Sequence, residues 1–354
     1  MSSTTVLISG ASGFIALHTV QELVKQGYNV VGSVRSEEKG EYVKKASGNP
    51  EKFTYEIVED IEKEGAFDDF VKKHPEATVF LHTASPFHFI APDVERDLLL
   101  PAINGTKNAL KSIKENGSNI KRVVVTSSYA AIASPEKSKQ AGKEWDESSW
   151  NDITWEQALE NPFLGYFGSK TFAEKAAWDF VKEEKPGFVL STVNPVYVFG
   201  PQPTNEFNST QLNTSSEIIN SILKIKDTEA KVNSYNGAAV DVRDVAKAHL
   251  VAFEKDEAKE QRLLLSSGKF TQQTVLDVLH VNFPSEAQHV PIGEPGSDRE
   301  EIKTTASPKN DKTRKILGFE LISVEQSIVD SAKQILEVED KLKTTDLNSK
   351  HQQL

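Results

Sequence analysis

Cysteine is absent from all 354 residues of this chain. Disulfides, zinc–thiolate sites, iron–sulfur clusters and thiol nucleophiles are therefore excluded. Long apolar runs are also missing, and nothing approaches the ~18–20 residues that a membrane span needs. The opening "MSSTTVLISG" has no basic segment ahead of an apolar core, so it does not read as a signal peptide. A cytoplasmic protein is the expectation. Positive charge is in deficit as well: 41 Lys and Arg stand against 52 Asp and Glu, a net charge of −11. That argues against nucleic-acid binding, which needs basic patches, but leaves room for a local basic pocket. The eight histidines form no H-x-H or H-E-x-x-H pair, so no metal site is expected.

The chain does contain a regular alternation. "TVLISG", "NVVGSVR", "FTYEIVED", "TVFLHTAS", "RVVVTSS" and "FVLSTVNP" are short β-branched runs. Amphipathic segments such as "IALHTVQELVKQG" separate them. Strand–helix alternation at this spacing predicts an α/β fold, a Rossmann-type doubly wound parallel sheet with helices on both faces. Strands apolar on both sides fit a sheet buried on both faces. From about Asn194 the rhythm breaks into "NPVYVFGPQPTNEFNSTQLNTSS", rich in loop formers. The length suggests about two domains. The expected division is a main domain over 1–193, with 236–262 packing back onto it, and a smaller C-terminal α/β lobe over 194–235 and 263–342. A polar tail is expected over 343–354.

"GASGFIA" places Gly10, Gly13 and Ala16 after the first strand and at the opening of a helix, the context a dinucleotide fingerprint requires. Gly10 permits the tight turn, Gly13 lets backbone approach a pyrophosphate, and Ala16 allows close helix–sheet packing. The helix N-terminus offers free N–H groups to phosphate. Gly10, Ser12, Gly13, Phe14 and Ile15 are the expected phosphate-side residues. The second strand ends in Arg35, with Lys39 four residues on. An acidic residue there would suit the ribose 2′-hydroxyl of NAD, whereas a cation suits the 2′-phosphate of NADP. Asp60 and Ile61 end the third strand and could hold an adenine edge and face; Asp60 could equally cap a helix. Thr83, Ala84 and Ser85 end the fourth strand, where ligands sit in open α/β sheets. His82 reads as a packed histidine.

"TSSY" at 126–129 ends the fifth strand with hydroxyls on the same rim. Alternation cannot decide between Ser127 and Ser128, because the strand is ending. "GYFGSKTFAEKAAW" puts Tyr166 four residues before Lys170, on one helix face. A phenol titrates near about 10, and a nearby ammonium lowers that value. Such a phenol can protonate a carbonyl oxygen as hydride arrives at carbon. "EKAAW" reads as helix continuation with apolar residues to bury.

Together these motifs resemble the extended short-chain dehydrogenase/reductases. Within them the chain is similar to the dihydroflavonol-reductase-like branch, and most of all to the fungal NADPH-dependent methylglyoxal (isovaleraldehyde) reductases. The similarity runs from about Val6 to about Leu336. It is carried by "SGASGFIA", "SVRSEEK", "LHTASPFHF", "ERDLLLPAINGT", "VVVTSSYAAI", "YFGSKTFAEKAAW", "VNPVYVFGPQ" and "DVRDVAKAHL". The N-W-Y-C-Y signature of the plant cinnamoyl-CoA reductases is not here; the chain reads "FLGYFGSK". The resemblance implies a catalytic Ser128, Tyr166 and Lys170, with Tyr166 the acid and Lys170 binding the nicotinamide ribose. It puts Asn104 at the position of a structural or proton-relay asparagine. It implies that Pro195 and Val198 border the nicotinamide and that Thr214 and Ser215 touch the diphosphate. Phe87, Tyr129 and Tyr197 would line the substrate pocket with Ser128 and Tyr166. Asp241 and Arg243 would organise the interdomain junction. The implied activity is NADPH-dependent reduction of small-molecule aldehydes and ketones. Alternatives on the same fold are a nucleotide-sugar epimerase or dehydratase, which would retain NAD, and a non-catalytic NADPH sensor.

Overall fold

The computed structural model describes residues 4–85, 91–207, 212–232 and 235–351. Two compact units make up the chain. The first takes Met1–Val196, Val245–Leu265 and Ala306–Glu320; the second takes Tyr197–Asp244, Ser266–Thr305 and Leu321–Leu354. In chain order the strands are β1 (Thr5–Ser9), β2 (Asn29–Val34), β3 (Phe53–Ile57), β4 (Ala77–His82), β5 (Arg122–Thr126), β6 (Glu144–Trp145), β7 (Val189–Pro195), β8 (Tyr197–Phe199), β9 (Asn236–Asp241), β10 (Arg262–Leu265), β11 (Gly268–Thr271) and β12 (Ser307–Pro308).

The first unit is built on a sheet of order β10-β7-β5-β4-β1-β2-β3, parallel throughout. Each β-branched run of the sequence becomes one of these strands. All five residues of β1 are buried, as a centre strand covered on both faces requires. The order runs outward from β1 in both directions, so the topological switch point lies between β1 and β4. Phe67, Phe70 and Phe80 are fully buried beside this region, and Phe67 and Phe80 meet edge to face at 6.0 Å, a favoured aromatic geometry. A π-helical turn at Glu95–Leu99 leads into the helix Leu100–Asn116. Pro101, which has no N–H and a ring that crowds the preceding turn, accounts for the widening.

The division differs from the sequence expectation in its details. Leu263–Leu265, expected in the smaller lobe, are part of β10 and pair in parallel with β7 at the edge of the main sheet. Residues 306–320, also expected in that lobe, belong to the first unit. There β12 pairs with β6, and Thr313 donates to Glu147 and accepts from the amide of Leu264. Tyr197–Phe199, read as loop, form a short strand.

The second unit holds a three-stranded sheet, β11-β9-β8. The helices Thr214–Leu223, Gln272–Asn282 and Val324–His351 supply much of its core, with Ile219, Leu276 and Ile328 around Phe199 and Phe270. The last helix continues through residues 343–351, which the sequence suggested were a tail. Within this unit Asp241, fully buried, accepts from Arg243 and from Ser327. Arg243 also reaches Asp330 at 2.7 Å. Those two carboxylates hold its guanidinium firmly protonated, and the cluster ties the end of β9 to the terminal helix. No helix among the described residues is long and apolar enough to cross a membrane.

Candidate active site

The switch point is held by hydrogen bonds between the ends of β1 and β4. The Ser9 hydroxyl accepts from the amides of Thr83 and Ala84, both at 3.1 Å, and pairs with His82 Nδ1 at 2.9 Å. Thr83 Oγ1 donates to the Ser9 carbonyl. His82 is buried. Burial first, and the charge of Lys170 second, push its pKa down to about 4, so it stays neutral. Gly10 sits directly against this junction. Its φ is +67°, and a Cβ there would lie 2.9 Å from Ala84 Cα. Any side chain would be both strained and in collision.

Gly13 is different. A Cβ on it would meet only Gly10 O at 3.4 Å and Ala16 Cβ at 3.9 Å, ordinary contacts. The fold does not itself demand glycine there. The helix Phe14–Lys25 that follows has no side-chain cap, so its first-turn amides, those of Phe14 and Ile15 among them, have no side-chain acceptor at that end. A bare turn and an uncapped N-terminus fit a phosphate. Ser12 is half-buried in the same turn. Arg35 and Lys39 are both exposed just beyond β2, with the amide of Lys39 bonded to the Ser36 hydroxyl. Asp60 is exposed and accepts from the amide of Glu62 at 2.9 Å, a local turn rather than a helix cap. Ile61 is half-buried and packs over Gly105, where a Cβ would come within 2.7 Å of Ile61 Cδ1.

The helix Pro162–Glu184 carries the pair that the sequence singled out. Asn161 caps it, accepting from the amide of Leu164, and Pro162 opens it, a favourable start. Tyr166 Oη lies 3.3 Å from Ser128 Oγ. Lys170 Nζ sits 5.9 Å from the Tyr166 ring centroid and donates to Ser85 Oγ at 3.0 Å. Burial pushes the Lys170 ammonium down to about 8 from its ordinary 10.5. The two serines at the end of β5 meet different partners. Ser127 Oγ donates to Glu174, on the sheet side. Ser128 Oγ accepts from the amide of Ala130 at 3.1 Å and faces Tyr166. Ser85, Ser128, Tyr166 and Lys170 thus form one cluster at the carboxyl ends of β4 and β5, near the glycine turn.

Other expected residues are more dispersed. Tyr129 is half-buried, and burial raises its pKa while its hydroxyl bonds Ser138. Asn104 is half-buried on the helix Leu100–Asn116, and Pro195 is buried at the end of β7. Tyr197, Val198, Thr214 and Ser215 belong to the second unit. There Tyr197 is 38% exposed and meets Phe270 edge-on at 5.6 Å, and Thr214 and Ser215 open the helix Thr214–Leu223. Phe87 lies outside the described residues. Sequence reasoning missed Glu174 and Arg262, a buried ion pair at 2.6 Å behind the cluster. A charge placed four residues after Lys170 in an Ala-rich run was the available signal.

The sequence pattern of the NAD dependent epimerase/dehydratase family matches residues 6–265. The chain belongs to this family. Among members of known activity, the NADPH-dependent methylglyoxal reductase Gre2 of Saccharomyces cerevisiae is 46% identical over 342 residues, covering 96% of this chain and 100% of that one. The yeast methylglyoxal/isovaleraldehyde reductase Gre2, solved with NADPH, superposes with a TM-score of 0.92 at 47% identity, over 95% of this chain and 99% of that one. Gre2 of Candida albicans, also solved with NADPH, gives 0.91 at 51% identity, over 95% and 99%. The sheet and its strand order are thus those of a dinucleotide-binding fold.

Proposed function

We propose that this chain is an NADPH-dependent carbonyl reductase, acting on small aldehydes and ketones such as α-oxoaldehydes. The observation that carries this reading is the Ser128–Tyr166 contact of 3.3 Å with the Lys170 ammonium beside the same ring. Its location at the switch point of a parallel sheet, next to a glycine turn that fits phosphate, supports a nucleotide-dependent reaction. Likeness to the two methylglyoxal reductases over nearly the whole chain supports the substrate class.

Gly10, Gly13 and the first turn of Phe14–Lys25 would hold the pyrophosphate, and Arg35 with Lys39 the 2′-phosphate. The nicotinamide, when bound, supplies hydride to the carbonyl carbon. Tyr166 gives its phenolic proton to the carbonyl oxygen. Ser128 donates a hydrogen bond to that oxygen and fixes its place. Lys170 would hold the ribose, and its positive charge stabilises the phenolate left after proton transfer. Solvent then returns the proton. Turnover is tested by mixing the protein with NADPH and a panel of α-oxoaldehydes, diketones and ketoesters and following nicotinamide absorbance. Consumption with at least one class is expected, and none across the panel overturns the reading.

Cofactor choice has its own test. Arg35→Glu should weaken NADPH binding about 10- to 100-fold, the size of a lost charge-assisted bond plus repulsion, and leave NADH binding little changed. Equal weakening of both would assign Arg35 a role outside the phosphate site.

A further inference from the structure

Tyr166, Lys170 and Glu174 follow one another at intervals of four, so they lie along one stripe of the helix. The first two reach the cluster of hydroxyls. Glu174, one turn farther on, enters the sheet. Its side chain has no exposure, and neither of its oxygens faces solvent. It accepts from Ser127 Oγ at the end of β5, from Asn194 Nδ2 at 2.6 Å on β7, where Thr192 Oγ1 also lies 3.2 Å away, from Arg262 Nε at 2.6 Å on β10, and from Trp178 Nε1 at 3.2 Å. One carboxylate thus spans three neighbouring strands.

Two of these donors bear directly on Ser128. Ser127 is its chain neighbour, and fixing the Ser127 side chain toward the sheet turns Ser128 the other way. Asn194 Nδ2 donates both to Glu174 and to the Ser128 carbonyl at 3.2 Å, while its Oδ1 accepts from Thr192 at 2.7 Å. Backbone and side chain on both sides of Ser128 therefore depend on the same carboxylate. Arg262 supplies the counter-charge. It is held in turn by the carbonyls of Glu147, Ser149 and Ala131 and lies 3.9 Å from the Trp150 ring centroid. A buried ion pair is weak support for stability, since apolar replacements often serve as well. Its value here lies in geometry.

We infer that Glu174 is a positioning residue for the reaction: through Ser127 and Asn194 it sets Ser128 Oγ against Tyr166 Oη. The inference rests on the reductase reading. In the full-length protein, Glu174→Gln should lower kcat about 10- to 100-fold, the range expected when a reacting group is misplaced by about 1 Å. NADPH affinity, read by fluorescence, should stay close to wild type. A crystal structure of that variant should show Ser128 Oγ out of hydrogen-bonding range of Tyr166 Oη. The double variant Glu174→Leu with Arg262→Met removes both charges and separates fold from positioning. Its melting temperature should recover toward wild type while kcat stays low. Ser127→Ala, which cuts one link and keeps the ion pair, should move kcat in the same direction by less, with a smaller loss of melting temperature than Glu174→Gln. It is the probe to use should Glu174→Gln not fold. The inference is overturned by unchanged kcat in Glu174→Gln or Ser127→Ala, or by recovery of kcat together with melting temperature in the double variant. If the wild-type protein turns over no carbonyl, the reductase reading fails. The Ser128–Tyr166 distance in the variant structure still judges Glu174.

Discussion

Tyr166→Phe lowers kcat about 100- to 10,000-fold, the contribution of a positioned general acid, and leaves NADPH binding nearly unchanged. The variant removes one oxygen. The phenyl ring that remains keeps its edge-on contact with Phe167, at 5.8 Å between centroids, and the helix Pro162–Glu184 keeps its cap. Stability should thus barely move. The hydroxyl that disappears is the one 3.3 Å from Ser128 Oγ, and the neighbouring phenol of Tyr129 is bonded to Ser138 and raised by burial. Stopped-flow kinetics with NADPH and an α-oxoaldehyde would measure the loss on the chemical step. Full activity in the variant would remove Tyr166 from the mechanism.

Lys170→Met has the second large effect, and it acts on two quantities in opposite senses. Activity should fall about 100-fold or more, because the variant loses the charge that favours the phenolate and the donors that would hold the ribose. Stability follows from linkage. The folded-state pKa of Lys170 is pushed down to about 8 from 10.5, so burial disfavours the charged form. Below about pH 8 the lysine is protonated in both folded and unfolded chains, and the full burial penalty is present. Between about 8 and 10.5 the unfolded chain binds a proton that the folded chain does not, so stability rises with pH through that window. The rise attributable to this one group is on the order of 1–3 kcal/mol. Wild type minus Lys170→Met, compared by urea unfolding of the cofactor-free proteins across that window, should show it. Parallel curves would mean that Lys170 titrates at its ordinary value.

The sequence carries much of this site because the chemistry depends on local spacing. Gly10 and Gly13 lie three residues apart in one turn, and Tyr166 and Lys170 lie one helical turn apart, so no long-range knowledge was needed to pair them. Ser128 joined them only by resemblance. At the end of a strand the alternation stops informing, and it takes the bond from Ser127 to Glu174 to show which hydroxyl turns outward. In the sequence Glu174 sits in a helical segment with apolar residues to bury. A buried carboxylate is legible only when its partners are known, and Arg262, Asn194 and Thr192 come from strands that meet it solely in the folded chain. The same limit applies to the domain boundary. β10 and the segment 306–320 return to the first unit through pairings with β7 and β6, and no local pattern announces a return. Tyr197 and the start of the helix Thr214–Leu223 lie where Pro, Asn and Ser crowd the chain, and periodicity there says little about side-chain direction.

The central claim is that this chain moves hydride from NADPH to a carbonyl carbon while Tyr166 supplies the proton. It is tested most directly with NADPH carrying deuterium on both positions of the nicotinamide C4, incubated with methylglyoxal in ordinary water. Mass spectrometry of the freshly quenched product should find one deuterium on the new carbinol carbon, where it exchanges far more slowly than a hydroxyl proton, and a hydroxyl proton drawn from solvent. A product without the label, or labelled NADPH left unconsumed, would contradict the account.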